Sequence, residues 1–170
     1  EMLSASEYKS LASLDGAGFH GGYNHIVYQM VGQPLGVFYL PHSTGLESDG
    51  NGGYTYGIAD LNGGGVSLED GEDRYVAGQA VPKTILGSNI SFRYKRFDLS
   101  LQINGAFGHK IYNGTSLTYM NMNIFPDYNV MKKAPQQNIK DQTATDYWLE
   151  KGDYVNFDYV TLGWNVPIEK

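Results

Sequence analysis

Gly87-Ser-Asn-Ile-Ser-Phe-Arg-Tyr-Lys-Arg-Phe-Asp-Leu-Ser-Leu-Gln-Ile-Asn-Gly-Ala-Phe-Gly108 is the stretch on which the fold class turns. Ile90, Phe92 and Tyr94 fall on alternate positions, with Asn89, Ser91 and Arg93 between them. After Lys95-Arg96 the alternation resumes with Phe97, Leu99, Leu101, Ile103 and Phe107 against Asp98, Ser100, Gln102 and Asn104. A period of two is the signature of a strand with one apolar face, and two such runs about a two-residue break form an antiparallel hairpin. A soluble sheet would bury that face in its own core, whereas a membrane barrel would turn it to lipid. The second run spans about ten residues, the length a tilted membrane strand needs.

Working outward, Asp153 to Asn165 is a further strand, with Val155, Phe157 and Tyr159 in one phase and Val160, Leu162 and Trp164 in the other. The slip at Tyr159-Val160 predicts a β-bulge, since one inserted residue keeps the apolar side chains together. Weaker alternation marks strands at Tyr23–Val31 and Leu35–Leu40. The opening Ser4–Leu11 fits a short capped helix or an irregular edge. The chain thus reads as a single all-β segment of antiparallel strands near 23–40, 86–108 and 153–165. Polar connections over 41–85 and 113–151 separate them, far longer than the usual connection within a compact domain. A tight turn flanked by long excursions is the asymmetry of outer-membrane barrels.

Composition agrees with strands and turns: Tyr at 14 and Gly at 22 are abundant in a chain of 170. There is no Cys, so disulfides and thiolate metal sites are excluded. A net charge of -6 argues against nucleic acid as partner, and the one basic cluster, Arg93-Tyr-Lys95-Arg96, is short. No apolar run is long enough for a transmembrane helix, which leaves a strand-built membrane protein open. Glu1-Met2-Leu3-Ser4 lacks the features of a signal peptide, so either export is absent or the chain has been trimmed.

No catalytic constellation is found. His20, His25, His42 and His109 are scattered, Asp70, Glu72 and Asp73 read as a solvated acidic run, and no G-x-S-x-G elbow exists. Asp60-Leu-Asn62-Gly-Gly-Gly65-Val66 approaches a Ca²⁺ loop, but Gly64 and Gly71 stand where the fifth and twelfth ligands belong. A Gly-supported turn is the preferred reading, with no metal or other cofactor expected. Sugars stack their C–H faces on exposed rings. Tyr54, Tyr56, Tyr119, Phe125 and Tyr128, within the long connections, are therefore the candidate ligand-binding residues. Tyr147 and Trp148, just before a strand, better suit an interfacial girdle.

Four segments, in order, resemble the C-terminal region of the SusC/RagA family of TonB-dependent outer-membrane transporters. They are Gly32-Gln-Pro-Leu-Gly-Val-Phe-Tyr39; Asp60-Leu-Asn-Gly-Gly-Gly65 with Gly78-Gln-Ala-Val-Pro82; Ser91-Phe-Arg-Tyr-Lys-Arg-Phe-Asp-Leu-Ser100 with Gly105-Ala-Phe-Gly108 and Ile111-Tyr-Asn113; and Trp148-Leu-Glu-Lys-Gly-Asp-Tyr154 with Val160-Thr-Leu-Gly-Trp-Asn-Val-Pro167. The resemblance implies part of a transmembrane β-barrel in the outer membrane of a Bacteroidetes-type cell, whose full-length protein imports oligosaccharides or peptides. It also implies a SusD-like lipoprotein and TonB as partners, with membrane lipid against the strands. The family's plug lies N-terminal to this region and is expected to be absent, as is the final aromatic-ended strand beyond Lys170. A segment of this size is expected to transport nothing alone. The reading from a different class is a soluble β-sandwich that binds carbohydrate and buries the same apolar face internally.

Overall fold

The computed structural model describes residues 8–13, 25–68 and 73–167. Among them eleven strands run in chain order: β1 (Tyr8–Ser13), β2 (His25–Met30), β3 (Val37–Pro41), β4 (Ser43–Ser48), β5 (Tyr54–Ile58), β6 (Arg74–Gln79), β7 (Thr84–Tyr94), β8 (Phe97–Phe107), β9 (Lys110–Tyr112), β10 (Leu149–Lys151) and β11 (Tyr154–Trp164). Two short helices, α1 (Gly114–Tyr119) and α2 (Ala134–Gln137), lie between β9 and β10. The strands form sheets ordered β1-β2-β3-β6, β4-β5, β9-β10 and β11-β8-β7. The chain is all-β, and the pairings within the first, second and fourth of these sheets are antiparallel. Of the opening segment, residues 4–7 lie outside the described residues, as do His20, Tyr23 and the run 69–72; Tyr8–Ser13 is strand rather than helix.

Two compact units divide the chain: Glu1–Val81 with Lys110–Glu150, and Pro82–His109 with Lys151–Lys170. The second unit is the β11-β8-β7 sheet, each strand eleven residues long. Tyr94 pairs with Phe97 across a two-residue turn, and Lys95 takes the left-handed φ of 53° that closes it. The register aligns Tyr94, Phe92, Ile90 and Leu86 with Phe97, Leu99, Leu101 and Gly105. It continues across β11 as Trp164, Leu162, Val160, Phe157 and Val155 against Phe97, Leu99, Leu101, Ile103 and Gly105. A β-bulge keeps this phase, as expected, but one residue earlier than Tyr159-Val160: Phe157 pairs with Ile103 and Tyr159 with Gln102, leaving Asp158 as the extra residue. The bulge settles there because Asp158 satisfies its carboxylate on the polar face, accepting from Asn156 at 3.0 Å and from Asn104.

The first unit takes in the two polar stretches read as long connections, and both carry secondary structure. Ile26, Phe38, Leu40, Tyr56, Ala77, Leu117, Ile139 and Ala144 are buried in one core, fed by β2, β3, β5, β6, α1 and the segment before β10. In β3, Val37, Phe38, Leu40 and Pro41 are all buried, so this strand is covered on both faces. Helix α1 starts because the Asn113 side chain accepts from the Ser116 N–H at 2.9 Å, and it then drops Leu117 into the core. Helix α2 carries Pro in its first turn and ends at Asn138, whose φ of 47° turns the chain. Residues 138–140 then thread between the start of β5 and Asn121. Tyr54 N donates to Asn138 O, Lys140 N to Tyr54 O and Met122 N to Ile139 O. This three-way ladder joins the two polar stretches and leaves Ile139 with no exposure.

Candidate functional site

Two surfaces have chemistry beyond holding the fold. The first is the apolar face of the β11-β8-β7 sheet, where Phe92 is 61% exposed, Leu162 73% and Trp164 59%. Taking a large side chain fully out of water is worth about 1.5–3 kcal/mol, and each of these residues leaves a substantial part of that unrealised in water. The opposite face is polar and internally bonded: Asn89 Nδ2 donates to Tyr159 Oη at 2.9 Å, beside the Asp158 pair. Gly163 lies opposite Asp98, whose carboxylate fills the space a Cβ would occupy. Eleven residues at about 3.3 Å each make a strand of about 36 Å, which at a tilt near 45° covers the ~25 Å apolar band of an outer membrane.

The second surface lies on the first unit, around the ladder at Ile139. Asn121, Asn123, Lys140, Asp141, Gln142 and Thr143 line a polar groove of about 290 Å³. Its walls are held by short local bonds. Asn123 Nδ2 donates to Lys140 O at 2.8 Å, Asp141 accepts from Thr143 N and Oγ1, and its other oxygen accepts from Tyr56 N across the unit. The groove offers amide, carboxylate, hydroxyl and ammonium groups, a set suited to hydroxyl-rich or peptide ligands.

Of the sequence-derived candidates, Tyr54 (43% exposed), Tyr119 (42%), Phe125 (58%) and Tyr128 (40%) present their rings to solvent. Tyr54 is backbone-bonded to residues 138–140 and Tyr128 N donates to Ile124 O of the groove wall, while Tyr119 and Phe125 lie in the chain on either side of its Asn121–Ile124 wall. Tyr56 is turned inward at 5% exposure, its hydroxyl accepting from Trp148 Nε1 at 2.7 Å. Burial pushes that phenol well above the usual tyrosine range. Tyr147 packs on both, 5.3 Å from Tyr56 and 5.0 Å from Trp148. The sequence reading did not find the groove, because its residues lie in two segments that alternate with no period and meet only in the fold, at Ile139 and Lys140.

Carboxylates order the rest of this unit by accepting backbone N–H groups. Asp60 accepts from Asn62, Gly63 and Gly65, and Asp73 from Leu61 and Ser67, so the Gly-rich loop is closed on itself by amides. Both carboxylates thereby turn inward on backbone amides, as in a stapled turn. The Ser67 and Leu61 amides hold the Asp73 carboxyl below the usual carboxylate range, and those of Asn51 and Gly53 do so for Asp49 in the β4–β5 turn. Asp146 ties the two polar stretches together, accepting from Ser43 N at 2.7 Å and Tyr75 Oη at 2.6 Å with His42 Nδ1 at 2.7 Å. Glu69, Asp70 and Glu72 lie outside the described residues.

No family model matches the chain. Two proteins of Formosa agariphila are similar to it. TonB-dependent receptor P3 is 28% identical over 157 residues, taking in 80% of this chain, and TonB-dependent receptor P26 is 27% identical over 125 residues, taking in 65%. The matched part makes up 16% of the first receptor and 12% of the second, so the chain spans about a sixth or less of the relatives it matches. The chain is therefore an all-β protein with long antiparallel strands and an uncovered apolar face, and it is similar to a stretch of two TonB-dependent receptors.

Proposed function

We propose that the chain supplies barrel wall and substrate-contacting connections to a SusC/RagA-like, TonB-dependent outer-membrane importer of oligosaccharides or peptides. The observation that carries this is the β11-β8-β7 sheet: three eleven-residue strands paired along their length with one bulge at Asp158, apolar and exposed on one face, polar and cross-bonded on the other. Lipid is the solvent that such a face fits, since it satisfies the side chains while the ladder satisfies the backbone. A soluble sandwich would cover the face with a second sheet, and Phe92, Phe157, Leu162 and Trp164 instead stay open.

In this reading the groove at Asn121–Thr143 and the rings of Tyr54, Tyr119, Phe125 and Tyr128 contact the cargo. The full-length protein engages a SusD-like lipoprotein and is energised through TonB. The chain performs no chemistry on its cargo and needs no cofactor.

The two tryptophans supply a test. A Trp148→Phe variant leaves Trp164 as the sole indole, and phosphatidylcholine vesicles with brominated acyl chains should quench it. Unquenched Trp164 fluorescence, in a chain that is a monodisperse monomer in plain buffer, would refute the lipid-facing assignment.

A further inference from the structure

The one basic cluster of this net-acidic chain is not explained by barrel wall alone. Register places Tyr94 beside Phe97 and Phe97 beside Trp164, so three rings end the apolar face at the hairpin turn. Phe97 and Trp164 stack with centroids 6.3 Å apart and planes 14° from parallel. Immediately beyond them stand Lys95 and Arg96, both exposed. Lys95 Nζ lies 5.3 Å from the Tyr94 ring, and neither residue forms an ion pair with a described residue. Arg93 lies opposite Asp98 in the register, whereas the turn residues have no cross-strand carboxylate. Lys95 and Arg96 are thus two uncompensated cations, held by a tight turn at the rim of an apolar surface, with aromatic rings between charge and grease. Aromatic rings favour the headgroup level of a bilayer, and cations there attract lipid phosphate.

We propose that the Tyr94–Phe97 turn, with Trp164, is an anchor for anionic phospholipid headgroups, and that it fixes this end of the sheet at a phospholipid surface. The proposal rests on the lipid-facing reading of the sheet and adds to it the chemistry of one rim. The occupant is the anionic headgroup layer of a bilayer: the rings and the apolar face need acyl chains next to the phosphate, which free phosphate does not bring.

The test is sedimentation of the full 170-residue chain with phosphatidylcholine vesicles and with vesicles in which a quarter of the lipid is phosphatidylglycerol. Two surface cations should favour the anionic vesicles by about 30-fold at low salt, a preference that shrinks as salt rises. The variant Lys95→Asn/Arg96→Gln, in which Asn tolerates the left-handed turn position, should reduce the preference to about threefold or less while leaving binding to neutral vesicles in place. If that variant folds poorly, the salt series on the unaltered chain decides the same question. Equal binding to both vesicles, or a preference the substitutions do not touch, overturns the anchor while leaving the lipid-facing sheet intact. Failure to bind either vesicle overturns both, above all if the chain sediments as a dimer whose partner covers the face. Inorganic phosphate that competes as well as anionic vesicles do would also overturn the proposal, by showing a plain anion site.

Discussion

Leu101→Arg, set against Gln102→Arg, puts the membrane reading to its sharpest trial. The two positions are adjacent on β8 and differ only in which face they occupy. Leu101 pairs with Ile90 on one side and Val160 on the other, and Leu99 and Ile103 flank it on the same face. It therefore lies near the middle of the apolar band, whereas Gln102 pairs with Asn89 and Tyr159 on the polar face. An Arg at the midplane of a lipid-facing strand costs about 2–4 kcal/mol, and one on the opposite, water-side face, a surface substitution, about 0.5 kcal/mol or less. At about 1.4 kcal/mol per factor of ten, Leu101→Arg should lower partition into phosphatidylcholine vesicles by roughly 30- to 700-fold, and Gln102→Arg by less than about fivefold. Vesicle flotation with quantitation of bound chain measures both. Equal partition of the two variants, or a larger loss for Gln102→Arg, would refute the assignment of faces.

Further outcomes follow from the first unit and the sheet. Tyr56→Ala removes a buried ring and should destabilise that unit by about 3–5 kcal/mol, while Tyr56→Phe loses only the Trp148 hydrogen bond and about 1 kcal/mol; urea titration followed by Trp148 fluorescence separates them. Tyr54→Ala and Phe125→Ala, at exposed rings, should leave that midpoint unchanged and weaken any hit found on a glycan or peptide array by about tenfold each. Asp49 and Asp73 have folded pKa values lowered by backbone amides, so their contribution is present above the unfolded value near 4 and is lost as pH falls through the folded one. Near-ultraviolet circular dichroism should accordingly show the first unit loosening below about pH 4, with a smaller acid-dependent change in Asp73→Asn. Gly163→Val should displace the Asp98 carboxylate and weaken the β8–β11 edge by about 1–3 kcal/mol, whereas Thr161→Val, on the same polar face, should be nearly neutral; urea titration followed by Trp164 fluorescence in a Trp148→Phe background measures both.

The strands of the second unit were legible because alternation is a local property. Each of Ile90, Phe92, Leu99 and Leu101 needs only its neighbours two positions away to declare a face, and the slip at Tyr159 declared a bulge. The bulge's position was not legible, since it depends on Asn104 reaching Asp158 from another strand. Tyr54 and Tyr56 show the same limit at the candidate site. Both are tyrosines two residues apart on β5, so both read as exposed platforms. Only the packing of Trp148, 92 residues on, turns one of them inward.

The amino-acid sequence by itself determined the all-β class, the hairpin, its register and the apolar face, because strand periodicity and a two-residue turn act over a few residues. Tertiary structure alone decided that the long polar stretches share one core, that Ile139 stitches them together, and that a polar groove opens beside it. Those features arise from hydrogen bonds and burial between residues far apart in the chain, where neither spacing nor composition carries a signal.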